Sequence, residues 1–214
     1  MMKLYGYFRS SAAYRVRIAL NLKGIAVEHV PVHLVKEGGQ HNKASYLGYN
    51  PQGLVPTLEL DDGTLLTQSI AIIEYLEAAY PHRNLIPVDV VQAAKVRAVA
   101  QAVACEIHPL NNLRVLNYLK GPLQQQQPAV DAWIKHWMLN GGLDAIEALL
   151  PGDAFCFGNT PTLADCCLIP QLFNARRFKV GFDHLPKISR VENTCSENPA
   201  FILAHPTQQP DFEK

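Results

Sequence analysis

The chain of 214 residues carries no net charge: Lys and Arg together number 19, and so do Asp and Glu. Without a basic field it has no electrostatic footprint for nucleic acid or for an anionic membrane surface, and neither partner is expected. No apolar run approaches the ~20 residues that a bilayer-spanning helix needs. The stretch from Met1 to Phe8 is short and strand-like, and it runs into Arg9 rather than a small-residue cleavage site. It does not read as a signal peptide, so a cytoplasmic protein is expected. The cysteines, Cys105, Cys156, Cys166, Cys167 and Cys195, are odd in number and form no C-x-x-C pair. That pattern excludes a disulfide framework, argues against a zinc or other metal site, and leaves buried reduced thiols. Internal repeats are also lacking. What is present is an ordinary globular composition, 48% hydrophobic and 18% charged, at a length suited to one large domain or two small ones.

The pattern changes character near residue 82. Lys3 to Phe8 reads as a strand. Ser10 and Ser11 offer helix caps, and Val16, Ala19, Leu20 and Lys23 recur at helical spacing up to Gly24. Ala26 to Val32 reads as a second strand, which makes a βαβ opening. Thr57–Leu60 and Thr64–Leu66 flank an Asp-Gly turn as a hairpin. Ser69 is expected to cap a helix whose stripe is Ile70, Ile73, Leu76 and Tyr80, ended by Pro81. Residues 1–82 are therefore expected to form a thioredoxin-like α/β domain, followed by a linker over 83–89. Residues 90–214 are expected to be all-helical: 91–120 with a kink at Pro109, 128–150, 162–178 opened by a Thr162/Asp165 capping box, and two short helices near 187–195 and 199–204.

Three local features in the first domain bear on chemistry. Arg9-Ser10-Ser11 stands where a strand gives way to a helix. A hydroxyl there either caps the helix or donates to an anion drawn by the unpaired N–H groups and the positive dipole end. Leu54-Val55-Pro56-Thr57 sets a proline directly before a strand. The residue types favour an ordinary trans bond, because cis forms make up only about 5–6% of X–Pro bonds. The alternative is a cis turn whose Val55 backbone could pair with an extended peptide ligand. Gln68-Ser69 opens the next helix and either caps it or holds a carboxylate.

The order and spacing of Ser10-Ser-Ala-Ala-Tyr-Arg-Val-Arg-Ile-Ala-Leu20, Asn50-Pro-Gln-Gly-Leu-Val-Pro56 and Gln68-Ser-Ile-Ala-Ile-Ile-Glu-Tyr-Leu76 resemble the zeta class of glutathione transferases, the family of maleylacetoacetate isomerase and maleylpyruvate isomerase. Thr160-Pro-Thr-Leu-Ala-Asp165 is similar to the capping motif of that family's helical domain. The resemblance implies the cytosolic glutathione-transferase fold, a homodimer, and glutathione as cofactor. It implies that Ser10 and Ser11 face the glutathione sulfur, that Val55 and a cis Pro56 hold the cysteinyl backbone, and that Gln68 and Ser69 hold the γ-glutamyl end. Gln40, His108 and Asn112 would be further glutathione contacts. Arg9 and Arg176 would bind the carboxylates of a dicarboxylic keto acid, with Arg114 as an outside candidate. The family's usual Ser-Ser-Cys is broken here by Ala12, so a cysteine nucleophile at that place is excluded.

The activity implied is glutathione-dependent cis–trans isomerisation of maleylacetoacetate to fumarylacetoacetate, a step in aromatic amino acid catabolism. The alternatives are maleylpyruvate isomerisation, general glutathione transfer or α-haloacid dehalogenation, and a non-catalytic binding protein of the same fold.

Overall fold

The structure, a computed structural model, describes residues 1–213. They fall into two compact units, one of 1–85 with 197–213 and the other of 86–196.

The first unit is built on a four-stranded sheet. β1 (Lys3–Gly6) leads into α1 (Ser11–Lys23) and β2 (Glu28–Pro31); the short α2 (Ala44–Leu47) precedes β3 (Thr57–Glu59), β4 (Leu65–Thr67) and α3 (Ser69–Ala79). The strand order is β2-β1-β3-β4, with β1 parallel to β2 and antiparallel to β3, and β3 antiparallel to β4. This is the thioredoxin-like arrangement expected from the βαβ and hairpin signals. Side chains alternate across the sheet. Leu4 and its register partner Leu58 are buried beside α1 and α3, which bring in Ile18, Leu20, Ile72, Ile73 and Leu76. On the other face Tyr5 meets Tyr46 and Tyr49 in tilted ring contacts, in a cluster with Tyr7, Phe8, Val32 and Val55.

The second unit is helical: α4 (Val90–Gln101), α5 (Leu113–Lys120), α6 (Gln127–Met138), α7 (Asp144–Leu149), α8 (Leu163–Arg177) and α9 (Pro186–Ser196). The single helix expected over 91–120 is interrupted. A π segment spans Ala102–Ile107 and a 3-10 turn spans Pro109–Asn111. The His108 N–H reaches back to the Val103 carbonyl and Pro109 has no N–H to give, so the helical ladder widens and then breaks. The helix expected over 128–150 is likewise two helices. Gly141 turns the chain at φ 70°, and a Cβ on Gly142 would come within 3.0 Å of the Trp137 carbonyl oxygen and 3.3 Å of Ile107. The Thr162/Asp165 capping box is present: Asp165 Oδ2 accepts from Thr162 N–H at 2.7 Å and from its hydroxyl at 2.8 Å, and Oδ1 accepts from Cys156 N–H at 2.8 Å.

The last segment departs from a helical domain running to residue 214. α10 (Pro199–Ala204) packs on α1: Asn21 Nδ2 donates to the Ala200 carbonyl at 2.9 Å and Arg17 Nε to the Ala204 carbonyl at 3.0 Å. Nothing in the amphipathic pattern of so short a helix tells which unit it covers. Among the described residues, no helix is long and apolar enough to cross a membrane, and no cluster of His, Cys, Asp and Glu could hold a metal ion.

Candidate active site

The sheet register gathers four segments at one end. β1 and β2 run parallel and finish together at Gly6 and Pro31, so the loop to Arg9-Ser10-Ser11 and the loop to Gln40 leave from the same edge. Thr57 pairs with Tyr5, so Val55-Pro56 enters β3 beside the exit of β1. Thr57 also pairs with Thr67, so Gln68-Ser69 leaves β4 at that end too. Residues far apart in the chain are thus brought to one rim by strand pairing alone.

The first segment is a tight turn. The Ser10 N–H donates to the Tyr7 carbonyl at 2.9 Å, and Ser10, at φ −70° and ψ 116°, is the N-cap of α1. Its Oγ accepts from the Ala13 N–H at 3.2 Å. The cap occupies only an acceptor position, so the Ser10 O–H proton remains available to donate. Ser11 is the first helical residue and is buried. No acid stands in the first turn of α1, and two buried arginines follow on the same helix. Burial brings Arg17 down to about 10, so it is cationic at neutral pH. Arg9 lies over the rings of Tyr7 and Phe8, at 5.7 and 5.8 Å from their centroids. An uncompensated helix N-terminus with cationic neighbours attracts an anion.

The second segment contains the cis Val55-Pro56 bond. The preceding carbonyl, Leu54 O, accepts from the Tyr46 hydroxyl and from Asn50 Nδ2, both at 2.7 Å, and the Tyr46 hydroxyl also meets Thr57 Oγ1 at 2.9 Å. Burial pushes the Tyr46 phenol up, which keeps this hydroxyl protonated and donating. Val55 is buried, yet among the described residues its N–H and C=O enter no backbone hydrogen bond. A buried strand-edge pair left open in this way is a place for an extended peptide to add.

At the third segment, Gln68 holds φ 66° and ψ 117°, a conformation unfavourable for a residue with a Cβ. Its Nε2 donates to Gln52 Oε1 at 2.7 Å, and the residue is exposed. Ser69 is not the cap expected from the sequence. It is the first residue of α3, buried, and its Oγ accepts from Arg15 Nη1 at 3.1 Å. That bond links α1 to the start of α3. In the fourth segment Gln40 is bracketed to His33: its Oε1 accepts from the His33 N–H and its N–H donates to the His33 carbonyl, each at 2.8 Å. Beside it, His41 Nδ1 is buried and has no hydrogen-bond partner among the described residues, and burial holds this imidazole below its ordinary value.

Arg9, Ser10, Ser11, Gln40, Val55, Pro56, Gln68 and Ser69 therefore share one end of the first unit. His108, Asn112 and Arg176 belong to the second. His108 ends the π segment and Asn112 caps α5, accepting from the Arg114 N–H at 3.1 Å. Arg176 is engaged by acids of its own unit: Nη2 to Glu192 at 2.7 Å and Nη1 to Asp183 at 3.3 Å, with its guanidinium 4.1 Å over the Phe182 ring. The hydrogen bond to Glu192 holds its pKa above the ordinary value. Arg15 and Arg17 escaped the sequence reading because their partners, Ser69 and the Ala204 carbonyl, lie far away in the chain; Tyr46 and Asn50 escaped it because both act on a backbone carbonyl, that of Leu54, which residue types do not mark. The Arg15/Arg17 pair did leave a trace, two cations inside the run from Ala12 to Leu20, whose other members are apolar or aromatic.

The sequence profile of the glutathione S-transferase N-terminal domain matches residues 4–84, and that of the C-terminal domain matches residues 127–201. The chain is 49% identical over 210 residues to maleylacetoacetate isomerase of Pseudomonas aeruginosa, covering 98% of each chain. It superposes with a TM-score of 0.94 on the holo structure of a maleylpyruvate isomerase described as a bacterial zeta-class glutathione S-transferase, at 46% identity over 99% of this chain and 100% of that one. Maleylacetoacetate isomerase of Methylobacterium extorquens AM1, solved with bound malonate and glutathione, gives a TM-score of 0.93 at 37% identity over 99% of this chain and 100% of that one. The chain belongs to the glutathione S-transferase family, in the zeta class that contains these isomerases.

Proposed function

We propose that the protein is a glutathione-dependent cis–trans isomerase of a maleyl keto acid, with maleylacetoacetate as the first substrate. The observation that carries this is the convergence of two acid-free helix N-termini and the open Val55 backbone at one end of the sheet, in a chain 49% identical to a maleylacetoacetate isomerase.

The rim fits glutathione group by group. An extended tripeptide finds strand-type partners in the Val55 N–H and C=O. The start of α3, with Gln68 and Ser69 above buried Arg15, suits the α-carboxylate of the γ-glutamyl end. Gln40, on the parallel loop, is the further contact within this unit. When bound, glutathione supplies a thiolate that adds reversibly to the conjugated double bond, leaving a single bond free to rotate. The chain's part is to hold that sulfur as the anion. The Ser10 hydroxyl, Ser11 and the first-turn N–H groups of α1 donate toward it, and hydrogen bonds to a charged form favour that form. Ala12 brings no thiol of its own, so the only sulfur at the turn is the cofactor's. Arg9, a planar fork beside the turn, orients a substrate carboxylate. From the resemblance, His108 and Asn112 are carried as further glutathione contacts and Arg176 as a second carboxylate ligand. Arg9 is the stronger candidate, because Glu192 and Asp183 already engage Arg176.

The same reading carries a cytoplasmic homodimer. It assigns residues 1–82 to glutathione and the helical domain after the 83–89 linker to the acid. Maleylpyruvate is the second substrate, favoured by the 0.94 TM-score to a maleylpyruvate isomerase.

The test is ultraviolet monitoring of each acid with purified protein and glutathione. The expected result is turnover of both acids, with Arg9→Ala raising the KM for the acid more than about tenfold while the glutathione Kd stays within about threefold. A protein that binds glutathione and turns over neither acid would sink the reading in favour of general transferase or dehalogenase chemistry.

A further inference from the structure

The turn that delivers Ser10 is held from outside its own segment. Phe8, two residues before the cap, has both backbone groups engaged by side chains. Its N–H donates to Asp211 Oδ2 at 2.9 Å and its carbonyl accepts from Arg17 Nη2 at 3.0 Å. Arg17 Nη1 reaches the Tyr7 carbonyl at 3.4 Å, the same oxygen that receives the Ser10 N–H. Arg17 Nε holds the Ala204 carbonyl, which tethers the turn to the end of α10.

Segment 205–213 is itself well anchored. Pro206 and Gln209 are buried, and Gln209 Nε2 donates to the carbonyls of Leu203 and His205 at 2.9 and 3.0 Å. Phe212 packs edge-on against the Phe8 ring, 5.5 Å between centroids. Glu213 then pairs with Lys36 and lies 3.9 Å from His33 Nε2, and His33 is the residue that brackets Gln40. One strap therefore touches both loops of the rim that leave β1 and β2.

We propose that Asp211 is a positioning residue for the reaction. Its carboxylate fixes the Phe8 N–H against Arg17 and so sets where the α1 N-terminus and the Ser10 hydroxyl meet the sulfur. This rests on the isomerase reading above. The charged groups that face Asp211 are Arg17 on α1 and His29 on β2, each felt electrostatically. Loss of the carboxylate therefore has two separable effects, a lost acceptor and a lost charge. Asp211→Asn keeps an acceptor oxygen for the Phe8 N–H and removes only the charge; Asp211→Ala removes both. A displacement near 1 Å at a reacting group lowers rate far more than binding.

The experiment compares the full-length wild type, Asp211→Ala and Asp211→Asn for kcat, KM and glutathione Kd, with amide hydrogen exchange over residues 7–14. Asp211→Ser replaces the alanine variant if that does not accumulate folded. The expected result is an alanine variant with kcat down roughly tenfold, glutathione Kd within about threefold, and faster exchange over 7–14, while asparagine restores kcat to within about threefold of wild type. Wild-type kcat in Asp211→Ala, or equal losses in both variants, overturns the inference. A wild type without glutathione-dependent turnover refutes the isomerase reading instead, and exchange over 7–14 then decides the strap by itself.

Discussion

Replacing Asp165 by alanine is expected to cost the protein about 4 kcal/mol of stability. The carboxylate is fully buried and receives three donors: Cys156 N–H, Thr162 N–H and Thr162 Oγ–H, at 2.8, 2.7 and 2.8 Å. Burial pushes its pKa up, while the hydrogen bonds from Cys156 and Thr162 pull it back down. Each hydrogen bond to a charged group contributes roughly 1.5–3 kcal/mol, so three come to about 4.5–9 kcal/mol. Removing the carboxylate also removes the cost of burying it, several kcal/mol, which brings the net near the 3–5 kcal/mol typical of a broken buried charged network. At about 2–4 °C per kcal/mol for a chain of this size, the Tm should fall by roughly 8–16 °C. Urea unfolding at unchanged m-value reads the same quantity through its midpoint. Asp165→Asn keeps one acceptor and should lose about half as much. An alanine variant within about 1 kcal/mol of wild type would refute the argument that this box holds the start of α8.

Three further outcomes follow from the same reasoning. Lys23, whose ammonium is inaccessible, pairs with Glu77 at 2.7 Å and donates to the Tyr80 carbonyl at 2.8 Å; Lys23→Met should lose about 3 kcal/mol in denaturant unfolding, with much of it recovered in Lys23→Met/Glu77→Gln. The Tyr5 hydroxyl at 2.6 Å holds Glu59 below the usual carboxylate range. A depressed pKa gives stability that is present above the unfolded value of about 4.3 and lost as pH falls through the folded one, so the Tm difference between wild type and Glu59→Gln should shrink from pH 6 to pH 3. Cys105 is exposed and the other four thiols are buried, so iodoacetamide should modify one thiol per native chain quickly, as read by intact-mass spectrometry.

How much was legible in the sequence depended on the range of the interaction. The βαβ and hairpin order, the Ser10 cap and the Thr162/Asp165 box are local chemistry, and each stands where residue types and spacing put it. Val55-Pro56 was legible only through the resemblance, since the residue types by themselves favoured a trans bond. The helix expected to run unbroken through 128–150 fails at Gly141-Gly142, where a left-handed turn and a close approach to Trp137 and Ile107 outweigh the flanking helical pattern. Ser69 could not be told from a cap, because its partner, Arg15, lies 54 positions away in the chain. No motif or spacing marks Asp211 or Glu213, and only the packing of α10 on α1 reveals what they touch.

The central claim is that bound glutathione provides the sulfur for isomerisation. The most direct measurement is turnover of maleylacetoacetate with glutathione, without it, and with S-methylglutathione, which can fill the same rim but offers no thiolate. The account predicts rapid isomerisation with glutathione alone, none without it, none with the methylated form, and competition between the two peptides. Isomerisation that persists with S-methylglutathione or with no thiol present would contradict it.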